Sequence, residues 1–229
     1  MRTNGMSLHK LPFNNIVKNK YHINRNYTKK VNNHNQINKN QFNEWFVGFV
    51  YGEGNFSIGI DNRGKYPRFN YRFMIGLHID DKPLLEFIKN KLGCGLISIN
   101  KDNTAAYFTI SNISDLKSVI LPIFEGFPLN GVKHLDYLDF KEALLLESPN
   151  TSKSSNKLDD TNKILELKNK INKNRTEYSL PLDHIRITPY WLLGFIEGEG
   201  SFHLRRTSLT PTFSLALTYS QLPLIEAII

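Results

Sequence analysis

Residues 45–60 read WFVGFVYGEGNFSIGI, and residues 191–206 read WLLGFIEGEGSFHLRR. Each stretch runs from aromatic and apolar residues through a glycine–glutamate–glycine corner into a segment with alternating residues. The similarity resumes between IGLHIDDKPLLEFI at 75–88 and LALTYSQLPLIEAI at 215–228. A match that extends over a whole supersecondary unit indicates two repeats of one domain.

The first repeat has the residue pattern of an α+β domain. Apolar and polar residues alternate through 55–61 and 67–79, which predicts antiparallel strands with one buried and one solvated face. We predict helices at 42–53, from Pro83 to Gly93, and near 114–125 and 132–147, with two shorter strands near 95–101 and 104–110. The expected fold is therefore two pseudo-symmetric αββαββα repeats joined through the helices that carry the glycines.

Charge and composition divide the chain into four parts. Residues 1–40 contain eight of the 29 Lys and Arg residues and no acid, so that the remaining 189 residues have no net charge. This Asn- and Lys-rich segment has too few apolar residues to fold alone, and we expect it to be a disordered basic tail. The first repeat is predicted at 41–147, a polar connector with one helix near 161–172 at 148–182, and the second repeat at 183–229.

The second repeat is expected to be incomplete. In the alignment of the repeats, Ile229 corresponds to the end of the first helix after the hairpin, so the second hairpin and the last helices have no counterpart. Such a truncated repeat would leave the apolar face of its hairpin uncovered. We therefore expect the 229-residue chain to be unstable or inactive unless further residues complete it.

The glycine–glutamate–glycine corner has three interpretations. The phosphate-binding loop of protein kinases is disfavoured, because the third glycine and the other kinase motifs are missing. A structural role predicts that Gly54 and Gly200 end the helices in the left-handed conformation. It also predicts that Gly48, Gly52, Gly194 and Gly198, spaced four apart on each helix, let the two helices cross in close contact.

A structural role does not explain Glu53 and Glu199. A carboxylate in the last turn of a helix faces the negative end of the helix dipole, where a basic residue is favoured. Two such carboxylates on closely crossing helices would repel each other unless a cation lies between them. Mg²⁺ prefers oxygen ligands, so a pair of metal-binding acids is the third interpretation.

Both motif segments, and ILPIFEGFPLNGVKHLDYLDFKEALLL at 120–146, resemble the LAGLIDADG homing endonucleases of the two-repeat, intron-encoded type. The resemblance covers about residues 41–229 and implies Mg²⁺-dependent cleavage of both DNA strands at a long, specific site. It implies that Glu53 and Glu199 are the catalytic, metal-binding acids and that the carbonyl groups of Gly52 and Gly198 assist them. Lys133 is similar to a basic catalytic residue near the scissile phosphate.

The solvated face of the predicted sheets is the candidate DNA surface. Its side chains are mainly Arg, Asn, Ser and Thr, which can bond to phosphates and base edges. In the first repeat the candidates are Asn55, Ser57, Arg63, Lys65, Arg68, Asn70, Arg72, Ser98 and Asn100. In the second they are Ser201, His203, Arg205, Thr212 and Ser214.

The remaining expectations concern the partners, the compartment and the oligomeric state. Double-stranded DNA is the expected partner, and the alternative function is an RNA maturase that assists the splicing of a group I intron on the same fold. No apolar run approaches the ~20 residues that span a membrane. The high Asn, Lys and Ile content indicates an A/T-rich genome, so we expect a mitochondrially encoded protein. A complete chain would be a monomer, whereas an incomplete chain could form a homodimer through the first motif helix.

Overall fold

The computed structural model describes residues 38–64, 67–147, 157–172, 175 and 185–229. The predictions for the tail up to residue 37, for Lys65 and for the remaining residues of the connector lie outside this part of the chain. No helix in the described ranges is long and apolar enough to cross a membrane.

The element order confirms an α+β architecture with a repeated helix–hairpin unit. The first repeat comprises α1 (Lys39–Glu53), β1 (Gly54–Asp61), β2 (Arg68–His78), α2 (Lys82–Leu92), β3 (Leu96–Ile99), β4 (Ala105–Ile110), a short helical turn (Ile113–Asp115), a π-helical turn (Leu116–Ile120), α3 (Leu121–Gly126) and α4 (Gly131–Leu146). The connector contains α5 (Lys157–Lys170), and the second repeat comprises α6 (Pro189–Glu199), β5 (Gly200–Leu204), β6 (Pro211–Leu215) and α7 (Leu222–Ile228).

The strands form two antiparallel sheets. The first repeat has a four-stranded sheet in the order β1-β2-β4-β3, and the second has the β5–β6 hairpin. The register pairs Phe56 with Phe73 in the first hairpin and Phe202 with Phe213 in the second. The two hairpins are therefore built to the same register, as the alignment of the repeats requires.

An aromatic core lies between the first sheet and its helices. Phe56 and Phe73 from the hairpin pack against Phe124 of α3, with ring centroids 5.6 and 6.1 Å away. Phe140 of α4 lies 5.3 Å from Phe56, and all four side chains are at most 1% exposed. The helices thus cover one face of the sheet, and the alternate residues of each strand face solvent.

Each motif helix begins with a polar cap. Asn38 and Gln41 bond reciprocally to each other's backbone N–H groups in a capping box at the start of α1. The Thr188 hydroxyl accepts from the Trp191 N–H at the start of α6, where Pro189 occupies the first turn. These caps fix where the helices begin.

The conformation predicted for the glycines at the helix ends is wrong. Gly54 has φ −80° and Gly200 has φ −78°, so that both are extended rather than left-handed. Each is also the first residue of a strand, and the chain passes directly from helix to strand. Glycine is needed there because a Cβ at Gly54 would lie 2.4 Å from Val50 Cγ1, and one at Gly200 would lie 2.5 Å from the Ile196 carbonyl oxygen.

The connector helix α5 is part of the core. It begins at Lys157 and ends at Lys170, four residues earlier at its start than predicted. Ile164, Leu167 and the following Ile171 are buried, and α5 packs against α4. The segment between the repeats is therefore anchored on the first repeat along this helix.

Candidate active site and nucleic-acid interface

The two motif helices cross with their backbones in contact. A Cβ built on Gly48 would lie 2.0 Å from the Trp191 carbonyl oxygen, and one on Gly194 would lie 2.0 Å from the Trp45 carbonyl oxygen. One turn further on, a Cβ on Gly52 would lie 3.1 Å from the Gly198 Cα. The four predicted interface glycines all lie at this crossing, so α6 already occupies the face of α1 through which a homodimer was expected to form.

Glu53 and Glu199 are the last residues of α1 and α6, so the crossing brings the ends of both helices together. The Glu199 Cγ lies 3.2 Å from the position of a Cβ on Gly52, which places this side chain directly against the opposite helix. Gly52 and Gly198 are partly buried, and their missing side chains let the two backbones pack against each other at this point. The two glutamates therefore extend from neighbouring ends of the crossing helices.

Lys133, in the first turn of α4, lies beside the end of α1. Its Nζ donates a hydrogen bond of 2.5 Å to the carbonyl oxygen of Gly54, the residue that follows Glu53. Burial lowers the pKa of Lys133, while the negative charges of Asp136, Glu199 and Glu53 act in the opposite direction. Lys133 of α4 thus lies close enough to the ends of α1 and α6 to be influenced by the charges of both Glu53 and Glu199.

The donor set fits Mg²⁺ better than a metal held by protein ligands alone. The described residues contain no group of three or more His, Cys, Asp or Glu side chains that could hold a metal ion. Mg²⁺ is usually bound by one or two carboxylates together with water and substrate phosphates. Two glutamates, each preceded by a partly buried glycine, match that requirement, and a phosphodiester would supply the remaining oxygens.

The solvated face of the first hairpin has the predicted composition. Arg68, Asn70 and Arg72 are exposed on β2, and Arg72 lies opposite Ser57 of β1. Asn55, two residues after Glu53, begins the same face of β1 and lies opposite Met74. A polar surface therefore starts beside the acidic site and extends along the hairpin.

Two predicted DNA-binding side chains have partners within the protein. The Arg63 guanidinium donates to the Asp61 carboxylate, with Nη2 2.7 Å from Oδ2, and this contact lowers the pKa of Asp61. The Asn100 Oδ1 accepts from the backbone N–H groups of Thr104 and Ala105. The Arg63 side chain nevertheless remains 91% exposed. Asn100 stabilises the β3–β4 turn, and Ser98 is exposed on β3.

The sequence prediction missed several side chains on this face. Tyr107 of β4 lies opposite Gly76 and Ser98, and Thr109 lies opposite Met74 and Leu96. The signal was present in β4, where Tyr107 and Thr109 alternate with the buried Phe108 and Ile110. Leu96, which is 71% exposed, adds an apolar contact to an otherwise polar surface.

The second hairpin repeats the polar face but lacks a cover on its apolar face. Ser201 pairs with Ser214, and His203 with Thr212, on the polar side, while Arg205 is exposed beyond the end of β5. On the other side Phe202 is 49%, Leu204 60% and Phe213 42% exposed. The residues described in the second repeat include no equivalent of the α3 and α4 side chains that bury Phe56 and Phe73.

The helix crossing also contains a buried acid that the sequence did not single out. The Trp45 indole donates a hydrogen bond of 2.8 Å to Glu197 on α6. Burial raises the pKa of Glu197, and the indole hydrogen bond partly opposes this shift. At the equivalent position of α1, Tyr51 packs edge-on against Trp191 and Phe195.

Comparison with known proteins finds similarity to a family of endonucleases. The LAGLIDADG endonuclease family profile matches residues 46–144. The chain is 34% identical over 198 residues to the uncharacterized mitochondrial protein RF1 of Saccharomyces cerevisiae, covering 82% of this chain and 39% of that protein. It is 32% identical over 197 residues to the probable intron-encoded endonuclease Cox1-I1b of Schizosaccharomyces pombe, covering 83% and 49%. The chain thus spans half or less of the length of these relatives.

Solved structures extend the comparison to three dimensions. The LAGLIDADG meganuclease I-CpaMI bound to uncleaved DNA superposes with a TM-score of 0.68 and 28% identity, covering 81% of this chain and 70% of that one. I-SmaMI bound to uncleaved DNA in the presence of calcium ions superposes with a TM-score of 0.67 and 26% identity, covering 81% and 71%. Both matched structures contain DNA, and the second was obtained with a divalent cation.

Proposed function

Because this chain belongs to the LAGLIDADG endonuclease family, we propose that it is a homing endonuclease that cuts both strands of DNA at a specific site. The observation that carries the proposal is the convergence of Glu53, Glu199 and Lys133 where α1 and α6 cross. Two acidic residues and one basic residue, from α1, α6 and α4, lie at the edge of a polar sheet face. A site of this composition suits phosphodiester hydrolysis.

Each residue has a distinct role in the proposed reaction. Glu53 and Glu199, with the carbonyl groups of Gly52 and Gly198, would hold Mg²⁺, and Mg²⁺ there would stabilise charge on the phosphate and lower the pKa of a bound water. Lys133, held by the Gly54 carbonyl, offers a positive charge to a phosphate oxygen. The close helix crossing would hold the two acids at a fixed separation, so that both DNA strands would be cut at the same site.

The sheet faces supply binding and specificity. Arg68 and Arg72 are suited to phosphate oxygens, and Asn70 and Ser57 to base edges in the major groove. The shorter face of the β5–β6 hairpin, from Ser201 to Ser214, extends the surface on the other side of the site. The two faces flank the acidic centre as the two halves of a saddle.

The biological setting proposed is mitochondrial and intron-encoded. One relative carries the name of a mitochondrial protein and another that of an intron-encoded endonuclease, both from fungi. A homing enzyme would cut the uninterrupted version of the gene that contains its own intron. Its DNA target is therefore the exon junction without the intron.

Cleavage of that junction is the direct test. A plasmid carrying the uninterrupted exon junction is incubated with the protein and Mg²⁺, and linear product is measured against a plasmid that contains the intron. Glu53→Gln and Glu199→Gln should each slow cleavage on the order of 100-fold or more, because each removes a metal-binding charge. DNA binding should persist in both variants.

Glu86→Gln is the matched control. Glu86 lies on α2, where it pairs with Lys82 at 2.7 Å outside the site, so this variant should cut at the normal rate. Cleavage that persists unchanged in both Glu53→Gln and Glu199→Gln would refute the assignment of the site. No cleavage, combined with tight binding of the intron RNA, would replace the endonuclease with the maturase function.

A further inference from the structure

The segment after α5 returns to the candidate active site. Asn172 has a left-handed backbone with φ 65°, a conformation that asparagine tolerates better than most residues. Its side chain donates a 2.7 Å hydrogen bond to the Phe56 carbonyl oxygen in β1, and its backbone N–H donates at 3.3 Å to Asp136 in α4. Asn172 of the connector thus links β1 to α4, the helix that carries Lys133.

Arg175 makes the second contact of the same segment. Its Nη2 lies 3.1 Å from Asp136 Oδ1 and 2.5 Å from Asp139 Oδ2. The side chains of Arg175, Asp136 and Asp139 are 13%, 10% and 16% exposed, so this network is largely shielded from water. Removal of the cation would leave two nearby carboxylates without compensation in a buried place, which is strongly unfavourable.

The network lies directly beside Lys133. Asp136 follows Lys133 by three residues in α4, so that both lie on one face of the helix. Lys133 is bonded to the Gly54 carbonyl, and Asn172 to that of Phe56, two residues further along β1. The connector therefore bonds to β1 and α4, the same two elements that Lys133 links.

We propose that Asn172 and Arg175 form a clamp that positions Lys133 in the active site. The clamp fixes the first turn of α4 against the start of β1, which keeps the Lys133 ammonium at the Gly54 carbonyl and near Glu53 and Glu199. Arg175 is a positioning residue that acts through Lys133. The catalytic consequence rests on the proposed endonuclease function, whereas the structural consequence does not.

The structural consequence is tested without DNA or metal. Free protein is treated with an acetylating N-hydroxysuccinimide ester, and the modification of Lys133 is followed by peptide mass spectrometry. Arg175→Met should raise the rate at Lys133 by about tenfold, as expected from the loss of charged hydrogen bonds, and Arg175→Lys should restore most of the protection.

Two controls separate the clamp from general loosening. Lys163→Met removes a cation of α5 itself, which lies 3.7 Å from Glu142 of α4 on the surface, and should leave Lys133 protected. Leu167→Ala weakens the packing of α5 without changing charge, since Leu167 is 1% exposed. Unchanged acetylation in Arg175→Met, or an equal increase in a Leu167→Ala variant of matched stability, would overturn the proposal whether or not the protein cuts DNA.

The catalytic consequence is tested by a double-mutant cycle on the cleavage rate at saturating DNA. Arg175→Met should slow cleavage about tenfold in the wild-type background, with DNA affinity retained, and should have no further effect in a Lys133→Met background. Equal losses in both backgrounds would show that Arg175 acts independently of Lys133, and would overturn its role as a positioning residue.

Discussion

A single methyl group at position 48 tests whether the motif helices need direct backbone contact. In Gly48→Ala the new Cβ would lie 2.0 Å from the Trp191 carbonyl oxygen and 2.9 Å from the Phe195 amide nitrogen. Cβ contacts under 3.0 Å essentially do not occur, so the helices must separate by about 1 Å. The obstacle is helix backbone, which cannot rotate away as a side chain could.

The expected cost follows from this separation. A gap of about 1 Å forfeits a quarter to a half of the dispersion energy of the atoms that it separates. Overpacking of a core position typically costs 1–3 kcal/mol, and because backbone is displaced here we expect about 3 kcal/mol. For a protein of this size, that corresponds to a fall of about 6 to 12 °C in the melting temperature.

The assay is urea and thermal unfolding of three alanine variants. Gly126→Ala, the control at the end of α3, meets no atom within 4 Å and should be neutral or slightly stabilising. Gly52→Ala should have an intermediate loss of stability, because its new Cβ would lie 3.1 Å from the Gly198 backbone and 3.2 Å from Glu199 Cγ. It should lose more cleavage activity than stability, since the flexible Glu199 side chain yields first. If Gly48→Ala unfolds with the same midpoint as Gly126→Ala, the argument for backbone contact is refuted.

Three further outcomes are expected. Glu197→Gln keeps a hydrogen-bond acceptor for Trp45 but removes a carboxyl group that can ionise. Because burial raises the pKa of Glu197 in the folded protein, ionisation of this carboxyl destabilises the wild type as the pH rises. The stability advantage of the variant in urea unfolding should therefore grow from about pH 4 to pH 7, and an advantage that shrank would contradict the argument. Arg72→Ala should reduce the dependence of log DNA affinity on log salt by about one unit, measured by fluorescence anisotropy, and an unchanged slope would exclude a phosphate contact. Phe73→Ala should lower the free energy of unfolding by about 3–5 kcal/mol, whereas Phe213→Ala, at the equivalent position of the second repeat, should lower it by under about 1 kcal/mol. The reason is that the Phe73 side chain is 0% exposed and the Phe213 side chain 42% exposed. Equal losses would show that the second hairpin is covered in solution.

The repeat and its polarity were predictable because they depend on local patterns. Alternation in β1 and β2 reports which residues face the helices, and the four-residue spacing of the glycines reports which helix faces meet. These features require only that each element keep its own period. The positions of Glu53 and Glu199 at the helix crossing follow from them directly.

The errors arose where a side chain has a choice of partners. Arg63 bonds to Asp61 and Asn100 bonds to the turn that follows it, and neither contact could be read from the alternation of the strands. Gly54 was expected to end the helix in the left-handed conformation. It is extended instead, because the strand begins at this residue. Arg175 lies 36 residues beyond Asp139 in a polar connector, where no periodicity signals a tertiary contact.

The unequal environments of the two motif tryptophans distinguish the repeats from each other. Trp45 bonds to Glu197, whereas Trp191, its counterpart 146 positions later, faces Tyr51 and has no hydrogen-bond partner for its indole nitrogen among the described residues. Two copies of α1 placed face to face would set Trp45 against Tyr51 on both sides and leave neither indole with the glutamate. The difference between Tyr51 and Glu197 at this matched position therefore favours the packing of α1 against α6 over the packing of α1 against a copy of itself.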